Sequence, residues 1–357
     1  MNIKYSVFTT IFILLFSEKF VSAQELKPYE FPRGDMRIMF YNTENLFDTF
    51  DDTLKIDESF LPKGDHYWTP GKYYKKINNI SKVITAVGQW ELPEIIGLCE
   101  IENRKVLEDL TKKTALKKFK YKIIHKESPD RRGIDVGILY RPDKFFPIFY
   151  KAIRVKFPFD TNKPTRDILY VKGTNSYKDT LHIFINHWPS RWGGQTETDR
   201  KRQFAASVLR AKIDSLFKTD NNPNIIILGD LNDYPTNNSV LNVLKAKIDF
   251  NEKNKFQNKE LYNLAWYLQE IKGKGTHKHK GEWGVLDQII VSGSLLNSDN
   301  KIYTSPDNAH TFEAPFLLEP DNNYTGEKPF RTYIGFKFHD GYSDHLPVYI
   351  DLFEKKK

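Results

Sequence analysis

Residues 224–233 read Asn-Ile-Ile-Ile-Leu-Gly-Asp-Leu-Asn-Asp, an apolar run that stops at a cluster of carboxylates and an amide. A short β-branched run bounded by turn formers reads as a buried strand. The same arrangement recurs along the chain. Strands are predicted over 37–42, 95–101, 181–187, 285–292 and 346–352, and each carries or adjoins a polar residue: Asn42, Glu100, His187, Asp287 and the pair Asp344-His345. Helical periodicity falls between them, over 73–89 with Ile77, Ile80, Ile84 and Val87 on one face, and over 104–116, 198–217 and 239–244. Further strands are expected over 121–125, 134–140, 148–157 and 168–172. Interleaved helices and strands argue for α/β layering rather than an all-β sandwich. Polar stretches over 48–71, 247–260 and 298–331 read as surface insertions.

The N-terminus has a separate reading. Lys4, the apolar run 7–16 and the small residues Val21-Ser22-Ala23 form the three parts of a secretory signal, so residues 1–23 are expected to be removed. The run is shorter than the roughly 20 residues a bilayer span needs, so no stable membrane insertion is expected after cleavage. A single domain over 24–357, exported to a periplasmic or extracellular destination, follows. The one cysteine, Cys99, excludes an intramolecular disulfide, and stability must come from the core. The formal net charge of +8 suits a polyanionic partner or simply a soluble basic surface. No feature calls for an obligate protein partner.

Strand ends present side chains to a cleft while the rest of the strand fixes their position. A hard divalent cation takes oxygen ligands and keeps several waters, so Glu100 and Asn42 suffice to hold Mg²⁺, with Mn²⁺ or Ca²⁺ as substitutes. The absence of cysteine clusters and of His-x-x-x-His spacing argues against structural zinc. Hydrolysis of a phosphodiester needs a base near neutral pH, which a histidine held by a carboxylate supplies. His345 with Asp287, and His187 with Asp135, are the expected pairs.

The motifs Gly229-Asp230-Leu231-Asn232-Asp233, Leu286-Asp287-Gln288-Ile289-Ile290-Val291-Ser292 and Ser343-Asp344-His345-Leu346-Pro347-Val348 resemble, in order, those of the endonuclease/exonuclease/phosphatase superfamily that includes deoxyribonuclease I. Upstream, the segments 40–47, 97–101 and 186–191 resemble its earlier motifs. The resemblance implies a four-layer α/β sandwich, two mixed sheets face to face with helices outside. It also implies roles: Asn42 and Glu100 on the metal with Asp344 beside it, Asp230 and Asn232 orienting nucleophile and phosphate, and His345 with Asp287 as general base. His187 would bind a phosphate oxygen or protonate the leaving group. One departure is that Asp135 stands a residue away from the position where a partner of His187 is expected. The activity implied is metal-dependent phosphodiester hydrolysis, with nucleic acid as the expected substrate and a lipid headgroup or small phosphoester as the alternative.

Arg131, Arg132 and Arg191 are placed to clamp phosphates. Trp188, Trp192 and Trp283 flank these motifs and suit either stacking on a base or packing under loops. The segment 272–280, with His277 and His279, reads as a basic loop.

Overall fold

Alternation of apolar side chains decides the layers. In β1 (Met36–Leu46), Ile38 and Phe40 join a buried cluster that draws on both sheets, whereas Met39 and Tyr41 join another beneath the helices. A strand that is apolar on both faces must be covered on both, and each fully buried aliphatic side chain contributes about 1.5–3 kcal/mol. The computed structural model describes residues 33–191, 193–250 and 256–355. The expected signal segment 1–23 and Trp192 lie outside the described residues.

After β1 come α1 (Pro70–Gly88), β2 (Ile95–Ile101), α2 (Arg104–Lys112), β3 (Lys122–His125) and β4 (Asp135–Tyr140). Then β5 (Phe145–Ile153), β6 (Ile168–Asn175), β7 (Thr180–His187), α3 (Gln195–Thr219) and β8 (Asn224–Asp230) complete the first two thirds. Beyond them lie β9 (Ala246–Lys247), β10 (Leu261–Asn263), α4 (Leu264–Glu270), the hairpin of β11 (His277–His279) and β12 (Glu282–Gly284), and β13 (Asp287–Ser292). The chain ends through β14 (Ile302–Tyr303), β15 (Ala309–Thr311), a hairpin of β16 (Leu318–Pro320) with β17 (Glu327–Pro329), another of β18 (Tyr333–Ile334) with β19 (Lys337–Phe338), and β20 (Val348–Glu354).

One sheet has the order β14-β20-β1-β2-β4-β3 with β15 also on β20; the other runs β5-β6-β7-β8-β13-β10-β9. Both are mixed, with β1/β2 and β7/β8 parallel and β1/β20 and β8/β13 antiparallel. Ile183, Ile185, Ile226, Leu228 and Ile289 of the second sheet meet Ile38, Phe40, Ile95 and Ile138 of the first. Ile77, Ile80 and Ile84 of α1 cover the outer face of the first sheet, and Leu209 and Ile213 of α3 that of the second. The expected four-layer sandwich is therefore the fold.

Local chemistry sets the helix ends. Thr69 caps α1 ahead of Pro70, and Asn103 caps α2 by accepting from Val106 N–H at 3.1 Å. The helix expected over 104–116 stops at Lys112, because Thr114 starts a 3₁₀ turn over Ala115–Phe119. The stretch 298–331 is not only a surface insertion, since β14 and β15 pair with β20. Among the described residues no helix is long and apolar enough to cross a membrane.

Candidate active site

The parallel pairs β1/β2 and β7/β8 end at the same edge of the sandwich, and the antiparallel β13 starts there. Register places His187 of β7 and Asp287 of β13 on either side of Asp230 at the end of β8. In the first sheet the ladder breaks. β1 pairs with β2 up to Asn42 opposite Cys99 and resumes at Leu46 opposite Ile101; β2 and β4 skip Glu100 in the same way. Glu100 therefore sits in a bulge, with φ of 56°, and Glu44, Asn45 and Asn232 at the same edge also have positive φ, at 50°, 56° and 51°. Bulges re-aim side chains, and non-glycine residues in this region persist only where surrounding contacts hold them. Here Asn45 N–H donates to Glu100 Oε2 at 2.9 Å and Asn232 N–H to Asp230 Oδ1 at 2.9 Å. Gly229 is required beside them, since a Cβ would stand 2.4 Å from the carbonyl oxygen of Asn186.

Asp230 Oδ2 is the hub of the centre. Asn42 Nδ2 donates to it at 3.0 Å, His345 Nε2 lies 3.8 Å away and His187 Nε2 3.9 Å away. Asn42 Nδ2 also reaches Glu100 Oε1 at 3.2 Å, and His187 Nε2 is 3.7 Å from the same oxygen. On its far side the His345 ring donates from Nδ1 to Asp287 Oδ2 at 2.6 Å. Asn232 donates from Nδ2 to the carbonyl of Trp188 at 3.0 Å. Asp344 lies at the rim, with its Oδ2 held by Arg331 at 3.0 Å, and the same guanidinium donates to Glu44 Oε1 at 3.1 Å.

These neighbours set the protonation states. Burial raises Asp230; His345 opposes it, Asp287 and Glu100 reinforce it, and the result is about 7. Burial lowers His345, but Asp287, Asp230 and Asp344 outweigh it and hold the ring well above the usual imidazole range. His187 is pushed well below that range by burial and by Arg166, Arg132 and His345, so its ring is neutral. A protonated and a neutral histidine thus flank one carboxylate. The donor chemistry fits a divalent cation: one ligand atom each of Glu100, Asp230 and His187 lie within 4.8 Å of one another. Such an ion would neutralise these carboxylates and the charge of a bound phosphate.

Asn42, Glu100, His187, Asp230, Asn232, Asp287, Asp344 and His345, expected at strand ends, converge on this one edge. Two expectations need correction. Asp135 does not reach His187: its Oδ2 lies 3.0 Å from His125 Nε2 and its Oδ1 accepts from Ser128 N–H at 2.9 Å. The cause is parity, because Val136 and Ile138 face the second sheet, which carries His187, and Asp135 alternates with them. His187 Nδ1 is buried without a hydrogen-bond partner among the described residues. Arg191 is not a free clamp, since its guanidinium braces the Asp230–Asp233 loop through Asn232 O at 2.7 Å and Asp233 Oδ1 at 3.2 Å. Asn42 accepts from Glu44 N–H at 2.9 Å through its oxygen and turns its amide N–H₂ toward Asp230 and Glu100. Asp344 groups with His277 and His345.

Arg131 and Arg132 are exposed in the loop before β4. Trp188 is buried and donates to Asn186 Oδ1 at 3.1 Å, which makes it packing. Three residues at the rim were not expected there: Arg331, His277, whose ring centroid lies 4.8 Å from that of His345, and Lys76. Lys76 is buried beneath the rim, donates to Thr332 Oγ1 and to Tyr342 O, and lies 4.0 Å from Glu44. A lysine on the apolar face of α1 was the available signal for Lys76; His277 lies in the short strand β11 and Arg331 in a loop, where no periodicity marks them.

A model of the Endonuclease/Exonuclease/phosphatase family matches residues 37–355. No curated protein matches in sequence. Solved structures share the fold at low identity. Humanized D. rerio TDP2 is 15% identical with a TM-score of 0.53, covering 89% of this chain and 98% of its own. The human nocturnin catalytic domain, with bound sulfate, is 15% identical with a TM-score of 0.52, covering 90% and 94%. A mannosyl-6-phosphatase of Bacteroides thetaiotaomicron is 14% identical with a TM-score of 0.54, covering 89% and 99%.

Proposed function

The chain belongs to the endonuclease/exonuclease/phosphatase family of phosphoesterases, and we propose that it is an exported, Mg²⁺-dependent phosphodiesterase acting on nucleic acid. The observation that carries the chemistry is geometric: Asn42 Nδ2 at 3.0 Å, His345 Nε2 at 3.8 Å and His187 Nε2 at 3.9 Å converge on Asp230 Oδ2, and Asp287 anchors His345 from behind at 2.6 Å. A carboxylate near neutral pKa is suited to take a proton from water, and an imidazolium is suited to donate to a phosphoryl oxygen. Water oxygen attacks phosphorus, its proton passes to Asp230 Oδ2, and the bond from phosphorus to the leaving oxygen breaks. His345, held by Asp287, meets the developing charge on the phosphoryl oxygens. His345 was expected as the general base; because its acidic surroundings favour the charged ring, it is assigned here the donor's part. Asn42 fixes Asp230 and Glu100, and neutral His187 lines the opposite side.

Support for nucleic acid is the basic balance of the chain and the cationic residues beside the cleft. A second reading, a lipid headgroup or small phosphoester, is favoured by the β18–β19 hairpin, which follows Arg331 and exposes Ile334 (47%) and Phe336 (64%). Incubating the chain with plasmid DNA, RNA, sphingomyelin vesicles and bis(p-nitrophenyl) phosphate, with and without Mg²⁺, separates the readings. Cleavage of DNA or RNA is expected; turnover of sphingomyelin alone overturns the nucleic-acid assignment.

A further inference from the structure

Beside His187 opens a cleft of ≈ 820 Å³ whose charged lining is uneven: Arg132, Lys163, Arg166 and Lys201 against Asp160 and Glu197. Its volume is that of a small-molecule site. Lys201 is neutralised by Asp160 at 2.6 Å. The two arginines share one carboxylate, Asp130, which lies 3.2 Å from Arg166 and 3.7 Å from Arg132. Arg166 is spent structurally, donating to the carbonyls of His187 at 3.2 Å and Trp188 at 2.5 Å, so it ties this wall directly to the catalytic edge. Arg132 is half exposed, Lys163 is exposed, and the ammonium of Lys163 acts on the Asp160 carboxylate through space. Thr165, in the same wall, has a buried hydroxyl without a partner among the described residues.

Two guanidiniums held near one carboxylate repel each other and leave an excess of positive charge pointing into the cleft. An anion entering it removes that repulsion. We propose that the cleft binds a second, non-scissile phosphate group of the substrate, with Arg132 and Lys163 as its cationic contacts. This rests on the phosphoesterase reading and adds a substrate requirement to it: the preferred substrate carries two phosphates spaced so that one lies at Asp230 while the other enters between α3 and the loop before β4. A neighbouring phosphate along a nucleic-acid strand and the second phosphate of a small bisphosphate share this chemistry.

The test is the ratio of kcat/KM with and without the second phosphate, in Mg²⁺. One pair is thymidine dinucleotide with and without a 5′-terminal phosphate; the other is fructose 1,6-bisphosphate against fructose 1-phosphate. The second phosphate is expected to raise kcat/KM about tenfold or more, as one charge-assisted contact does. In Arg132→Gln/Lys163→Gln the ratio should fall to about 1, while the charge-preserving Arg132→Lys/Lys163→Arg retains most of it. A gain confined to the dinucleotide identifies a strand phosphate as the source, and one confined to the fructose pair identifies a small bisphosphate. A wild-type ratio near 1 for every hydrolysed substrate, or a ratio untouched in the Gln variant, overturns the proposal. If nothing is hydrolysed the phosphoesterase reading fails instead. The cleft is then tested by calorimetry with pyrophosphate in EDTA, where binding at least tenfold weaker in the Gln variant is expected and equal binding overturns it.

Discussion

The ring of His345 is anchored by a bond of 2.6 Å from its Nδ1 to Asp287 Oδ2, across 58 residues of sequence and from the strand edge of one sheet to that of the other. Both groups are buried. A charge-assisted bond this short, away from water, fixes which ring nitrogen faces the centre and favours the protonated ring. Nε2 is thereby left to face Asp230 at 3.8 Å.

Loss of either partner should therefore be felt in rate. His345→Ala is expected to lower kcat by roughly 10² to 10⁴-fold, with a smaller effect on KM. Asp287→Asn should lower kcat as well, because an amide no longer stabilises the imidazolium. The double variant should be little worse than His345→Ala, since the pair acts as one unit. Steady-state kinetics of the three variants check this; multiplying losses would separate the two residues.

Removal of divalent ions with EDTA should abolish turnover, and Mg²⁺, Mn²⁺ or Ca²⁺ should restore part of it, because two of the three candidate ligands, Glu100 and Asp230, are carboxylates. Glu100→Gln should raise the Mg²⁺ concentration needed for half-maximal rate. Full activity in EDTA would show that the acids serve another purpose.

Asp230 makes stability depend on pH. Its folded pKa of about 7 lies above the ordinary 3.8, so between these values the folded chain holds the proton more tightly than the unfolded one. Its contribution is fully present below about pH 4 and is lost as pH rises through 7. In EDTA, Asp230→Asn should therefore differ little from wild type in Tm at low pH and become relatively more stable as pH passes 7, while turnover is lost. Thermal unfolding across pH 4 to 9 is the measurement; a difference that shrinks with rising pH would contradict the assignment.

Arg331 shares its guanidinium between Glu44 and Asp344 and is 42% exposed on its side chain. Arg331→Ala leaves two carboxylates facing each other, and a loss of stability on the order of 1 kcal/mol is expected, discounted for solvent screening. Turnover should fall with it, because Asp344 loses its orientation. Arg331→Lys should recover little, since an ammonium cannot span both acids as the planar fork does. Tm and kcat of both variants test this.

If the substrate is nucleic acid, affinity should fall as salt rises, with a log–log slope of about −0.9 per phosphate contact on duplex DNA. Arg132→Gln/Lys163→Gln should make the slope shallower. Binding titrations at several salt concentrations decide it, and a flat response would favour a small phosphoester.

The sequence alone determined the layers and the identity of most of the centre. Apolar runs such as Ile225–Ile227 can only be buried strands, and the polar residues that end them lie, through strand geometry, at one sheet edge. The His345–Asp287 pair was legible for the same reason. Other features depended on where side chains point after folding. Asp135 missed His187 because side chains alternate across a strand, so a displacement of one residue turned it toward His125 on β3. Arg331 and His277 reach the rim from segments with no periodic pattern, and Lys76 reaches it from the periodic helix α1 only because that helix packs beneath Thr332 and Tyr342. The protonation of His345 was also beyond the sequence. An isolated imidazole titrates near neutrality, and only the folded arrangement of three carboxylates around it, opposing the cost of burial, decides that it holds its proton.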